Sequence, residues 1–152
     1  MAKGDIVYQE LNLPGTTSGY IPNDVMGTEL TLAGMATASG GTGVITKVVV
    51  WDDSATLLQF DIFISTSTGS PSADSAADAP SDANNRLGQV WIPVPAPFAR
   101  GTLNKVITIP VVDGDYKCAV QSLFVSLVAR STMAAAIAAN AIRIGVWATL
   151  TS

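Results

Sequence analysis

From Val44 to Leu150 apolar and polar residues alternate in short runs broken by Gly, Pro, Ser and Asp, the period of two that half-buried strands require. The densest run is Val44 to Asp52, nearly continuous in β-branched residues and ending at the turn signal Asp52-Asp53-Ser54. Leu58, Phe60, Ile62 and Ile64 then alternate with Gln59, Asp61, Phe63 and Ser65, and the two runs read as a hairpin closed by Asp52 to Ala55. Further strands are expected at Gln89 to Val94, Lys105 to Val111, Leu123 to Ala129 and Ala141 to Leu150. In the last of these, Ile142, Ile144, Val146, Ala148 and Leu150 share one face, while Arg143, Gly145, Trp147 and Thr149 share the other. That division sets Trp147 on a sheet face for a neighbour to cover.

Between the strands the breakers carry the pattern. Pro93, Pro95 and Pro97 lack backbone donors, so the Gln89 strand should run at a sheet edge or leave the sheet there. Asp113-Gly114 reads as a hairpin turn. Ser65 to Asn85, rich in Ser, Ala, Asp and Pro, reads as a long loop with room for one helical turn, and the Ala-rich stretch Met133 to Ala139 as a loop or short packed turn, too short for a stable helix. Ahead of Val44 the chain is broken at Pro14-Gly15 and again from Gly19 to Pro22, with short strands at Ile6 to Leu13 and Glu29 to Leu32 and a flexible stretch from Ala38 to Gly43. The organisation predicted is an N-terminal arm with short strands over residues 1–43, lying along its own domain or a neighbour, followed by a β-sandwich domain over residues 44–152. The fold class is all-β, a sandwich of jelly-roll type with an extended N-terminal arm.

Composition sharpens this picture. The chain has 152 residues, enough for one core, yet 48% are hydrophobic and only 13% charged, against about 25% charged in an ordinary soluble domain. Once a core is filled, apolar side chains remain with few charges to cover them, which predicts self-association or docking on a larger assembly. The net charge is −4 and the eight basic residues are scattered, so a nucleic-acid partner is not expected. Neither a secretory leader nor a membrane partner is expected: the N-terminus has no apolar segment, and the stretches Ala119 to Ala129 and Ser131 to Ile142 fall short of the roughly 20 residues of a spanning helix. Cys118 has no second cysteine to pair with, which fits synthesis in a reducing cytosol and a role as a small buried hydrophobe.

Candidate chemistry is sparse. With no histidine, neither a serine nor Cys118 has an imidazole base, and no nucleophile elbow, P-loop or dinucleotide fingerprint occurs. The two glutamates, Glu10 and Glu29, both lie in the weakly structured N-terminal part and make a poor glycosidase pair. Asp74, Asp78 and Asp82 at intervals of four, and the fragment Asp113-Gly114-Asp115, lack the alternating spacing and bidentate carboxylate of a calcium loop. No catalytic, cofactor or metal site is therefore expected, and the chain reads as a protein other than an enzyme. Trp51, Trp91 and Trp147 sit on or at the ends of expected strands and suit core or interface packing, with stacking on sugar rings as the competing use.

From Val44 onward the order of features resembles a family of small structural proteins of tailed-bacteriophage virions. The matching pieces are Ile45 to Asp52, Leu58 to Ser65 with the following Pro71, the Asp-Ala loop Asp74 to Asn85, the Leu87 to Ile92 strand, Leu123 to Ala129, and Ala141 to Val146. This resemblance implies a capsid decoration or cement protein, a β-sandwich module that is often a homotrimer and clamps neighbouring capsomers. Its implied partners are the major capsid protein and further copies of itself, and its implied place is the capsid surface of the virion after synthesis in the host cytoplasm. A neck, tail or head-fibre component would use the same fold, and a carbohydrate-binding surface module is the second alternative.

Overall fold

A computed structural model describes residues 2–16, 19–54, 59–66, 76, 90–94, 105–132 and 136–152. Among these the chain is all-β, without helix, and its strands form two antiparallel sheets. They are β1 (Ile6–Asn12), β2 (Leu30–Leu32), β3 (Thr42–Asp52), β4 (Phe60–Ser65), β5 (Val90–Val94), β6 (Lys105–Pro110), β7 (Asp115–Lys117), β8 (Leu123–Ala129) and β9 (Ile142–Leu150). One sheet has the order β1-β9-β3-β6, with β7 also on β3; the other has the order β2-β8-β4-β5.

The alternation read from the sequence places the core between the sheets. Ile45, Val48 and Val50 of β3 and Ile142, Ile144, Val146, Ala148 and Leu150 of β9 form one apolar cluster with Phe60, Ile62 and Ile64 of β4 and Leu123, Val125, Leu127 and Ala129 of β8. β4, β8 and β9 contribute every second side chain, and β3 does so on either side of a register shift between Ile45 and Lys47, the sandwich-like solution for two sheets with one apolar face each. Residues ahead of β3 share this core: Val7, Leu13, Tyr20, Met26, Leu32 and Met35 are all buried in it. β1 lies antiparallel to β9 along its whole length, from Ile6 opposite Thr149 to Asn12 opposite Arg143. β5, with Pro93 in it, is an edge strand as its missing donor requires.

Two local expectations are corrected. β3 and β4 do not form a hairpin: β3 pairs with β9, β6 and β7, whereas β4 pairs with β5 and β8 in the opposite sheet. Both strands present an apolar face, and each buries it against the other's sheet instead of pairing edge to edge. Nor does Asp113-Gly114 reverse the chain. β6 and β7 run in the same direction along one edge of β3, and residues between them arch over a register shift in β3 between Ile45 and Lys47. Val111 N–H donates to Thr46 O at 3.1 Å and Ile45 N–H to Gly114 O at 2.8 Å, so the arch is stitched to β3 on both sides. Asp113 takes a left-handed φ of 57°, and a Cβ on Gly114 would lie 2.1 Å from the Ile45 carbonyl oxygen. The Asp-Gly pair serves a bulge crossing instead of a turn.

Candidate interaction face

The outward face of the β1-β9-β3-β6 sheet gathers the aromatic residues. Tyr8 on β1 stands opposite Trp147 on β9, and Trp147 stands opposite Lys47 on β3; four residues along, Arg143 on β9 stands opposite Trp51 on β3. The Tyr8 and Trp147 rings lie with centroids 4.3 Å apart, tilted by 37°. Lys47 Nζ sits 4.5 Å from the Trp147 ring centroid and the Arg143 guanidinium carbon 5.3 Å from that of Trp51. Such cross-strand cation–π pairs contribute about 0.5–1 kcal/mol each at exposed sites.

Gly145 is the floor of this cluster. A Cβ there would lie 2.9 Å from Trp147 Cζ3, 2.9 Å from Tyr8 Cε2 and 3.0 Å from Trp51 Cη2. Its missing side chain lets three rings from three strands converge over the sheet. At the rim, Tyr8 Oη donates to Glu10 Oε2 at 2.6 Å, and the other Glu10 oxygen lies 3.6 Å from Arg143 Nη1. Partial burial of the phenol, together with the Glu10 carboxylate that accepts its hydrogen bond and repels a phenolate, pushes the Tyr8 hydroxyl up to about 12. Tyr8 is therefore a neutral hydrogen-bond donor near neutral pH. Tyr8 and Ile6 are exposed, Trp51 and Trp147 half-buried, and exposed Val106 on β6 extends the apolar surface past Trp51. The result is an aromatic plateau with cations over its rings and one carboxylate at its edge, suited to association and lacking any nucleophile poised beside a base.

The remaining candidates fall elsewhere. Cys118 is fully buried, and burial pushes its thiol up, which makes it an inert core residue. Asp74, Asp78, Asp82 and the Trp91 side chain lie outside the described residues. Among the described residues no three carboxylates or thiols are grouped as metal ligands. A cleft of about 480 Å³ opens where the edges of β5 and β6 face each other, lined by Val94, Ile107 and Ile109 with Asp61 and Arg130 at one side. Asp61, on the outward face of β4, is buried and accepts from Arg130 Nη1 at 2.7 Å, while its Oδ1 has no partner.

Of the plateau, the sequence pattern identified Trp51 and Trp147 and placed Arg143 and Gly145 on the Trp147 face of the last strand, but it did not bring Tyr8, Lys47 and Trp51 to that face. One signal was legible: a glycine inside a strand whose outward neighbours are Arg143 and Trp147 marks a close approach. No family model and no curated protein matches this chain.

Proposed function

We propose that this protein is a structural virion protein that decorates and cements a tailed-phage capsid, bridging neighbouring capsomers through its aromatic plateau. The observation that carries the reading is the convergence of Tyr8, Trp147 and Trp51 over Gly145 on a face built from three paired strands. Large aromatic side chains held rigidly on a sheet lose little entropy on docking, and Trp, Tyr and Arg are the residue types that dominate interface energetics. Many weak contacts repeated by symmetry then suffice for a stable shell, and no covalent step is needed.

Setting aside short β7, the orders β1-β9-β3-β6 and β2-β8-β4-β5 are those of two nested Greek keys, which supports a jelly roll whose N-terminal segment lies along its own sandwich through β1 and β2. Jelly rolls recur in viral shells, a fold-level analogy that adds to the surface argument without replacing it.

The test is binding of the purified protein to capsids of the source phage that lack it, followed by cryo-electron microscopy of the decorated particles. Density repeated over the shell, with the plateau against a capsid subunit, is the expected result; density confined to neck or tail, or none, overturns the cement reading. Replacing Trp51 and Trp147 together by alanine should weaken shell binding by roughly 30-fold or more, as loss of an aromatic hot spot does.

The half-buried indoles also favour a second reading, glycan binding on the same plateau. Lys47 and Tyr8 already lie against the Trp147 ring, which reduces the area left for a sugar. Glycan-array binding abolished by Trp51→Ala, with no affinity for capsids, would select it.

A further inference from the structure

Among the described residues the two sheets have four edges, and three of them are blunted. β2 has only three residues, β5 contains Pro93, and β6 ends at Pro110. β1 has seven residues with neither proline nor lysine, and among the described residues it pairs only with β9. A long edge of this kind is a template for another strand.

The hydrogen bonds flanking β1 reveal which of its groups are free. Leu13 N–H donates to Ile142 O at 2.9 Å and Leu150 N–H to Asp5 O at 2.9 Å, both continuing the β1–β9 register. Pairs in an antiparallel ladder alternate between exchanging both hydrogen bonds and exchanging none. Val7, Gln9 and Leu11 therefore turn their N–H and C=O groups to β9, and Ile6, Tyr8, Glu10 and Asn12 turn theirs to the open edge.

We infer that this edge binds β1 of a second copy of the same chain, antiparallel, with the two-fold axis at Gln9. Only residues of one face can stand opposite each other, because a one-residue slip would turn the core side of one copy to the solvent side of the other. Among the registers allowed, an axis at Gln9, the middle of the strand, aligns all seven residues. It sets Ile6 opposite Asn12 and Tyr8 opposite Glu10 of the second copy, so every free N–H and C=O of β1 enters a doubly bonded pair. Tyr8 hydroxyls then face Glu10 carboxylates across the seam on the outer side, and Val7 faces Leu11 on the core side. An axis at Tyr8 leaves Leu11 and Asn12 without partners within the strand. An axis at Glu10 sets two carboxylates against each other, which is destabilising.

In this pair the two β1-β9-β3-β6 sheets become one continuous sheet, with both aromatic plateaus on the same side. The symmetry is two-fold, unlike the trimer implied by the family resemblance. The inference does not rest on the capsid reading and is tested on the isolated protein.

Sedimentation or light scattering of the native chain should give twice the 15.7 kDa protomer mass at high concentration. Gln9→Cys places two thiols at the axis in a non-hydrogen-bonded pair, close enough for a disulfide, and should give a covalent dimer on mild oxidation. Tyr8→Cys should not, since the two positions would be diagonal neighbours roughly 7–8 Å apart. Glu10→Pro removes an N–H that faces the open edge and should raise the dimer dissociation constant roughly tenfold or more while the chain keeps the far-ultraviolet circular dichroism of a folded β protein. A native chain that stays monomeric at all concentrations, or cross-linking through Tyr8→Cys but not Gln9→Cys, overturns the inference.

Discussion

Gly145 decides how closely three aromatic rings approach, so the smallest side-chain addition tests the plateau. Gly145→Ala forces the Tyr8, Trp51 and Trp147 rings apart and should cost about 1–3 kcal/mol, the range for overpacking, with a changed near-ultraviolet circular dichroism spectrum. Tyr116 is the buried counterpart: its hydroxyl donates to the Met35 carbonyl at 2.6 Å and ties β7 to the turn after β2. Tyr116→Phe leaves that carbonyl without its partner and should cost about 1–3 kcal/mol in urea denaturation. Burial foremost, with Cys118 nearby, pushes the Tyr116 hydroxyl from 10.0 up to about 12. A raised phenol pKa means that the native state holds its proton longer than the unfolded chain. This contribution to stability is complete below pH 10 and is lost as pH rises through about 12. A denaturation series from pH 9 upward should therefore show stability falling above pH 10, and the Tyr116→Phe chain should show a shallower fall.

At the scale of elements, β1 makes a parity prediction for the monomer, measured at concentrations below the dimer dissociation constant. Gln9→Pro deletes a donor that faces β9 and should destabilise the fold by about 3 kcal/mol, whereas Glu10→Pro, one residue along, should change the denaturation midpoint far less. Equal losses would show that the ladder does not have the deduced phase. Between β4 and the residue after β8, the Asp61–Arg130 pair couples two elements of the other sheet. Arg130→Ala leaves the Asp61 carboxylate buried and uncompensated. The expected cost is about 2 kcal/mol, below the 3–5 kcal/mol of a fully buried pair because the Arg130 side chain is half exposed. Adding Asp61→Asn to that variant should recover part of the loss, and a double-mutant cycle measures how much.

For the whole molecule, the decisive feature is that the ends of the chain meet. β9 lies between β1 and β3, so the first strand enters the sheet only after the last is in place. Ile6 pairs with Thr149 and Gly43 with Leu150, contacts between residues far apart in sequence. Such a topology should fold on the millisecond-to-second scale or slower, and stopped-flow refolding from urea measures it. Removing β9 takes the partner from both β1 and β3 together with five buried core residues, and a chain ending before Ile142 should not fold.

The period-two pattern determined by itself where most strands lie and which side chains they bury: the inward set from Ile142 to Leu150 and the outward set containing Trp147 follow from alternation alone, because a strand has only two faces. It also gave Pro93 to an edge. Pairing was another matter, since β3 and β4 are adjacent in sequence, equally apolar and separated by a turn signal, and nothing local distinguishes a hairpin from a crossing between sheets. Asp113-Gly114 fits a left-handed turn in either setting, and only the β3 backbone passing beneath Gly114 makes it a bulge. The plateau likewise required the register, for Tyr8 and Trp147 lie at opposite ends of the chain and meet only because β1 closes on β9. Local alternation is fixed by covalent geometry; partnership is fixed by which apolar faces and open backbone edges the whole chain can satisfy at once.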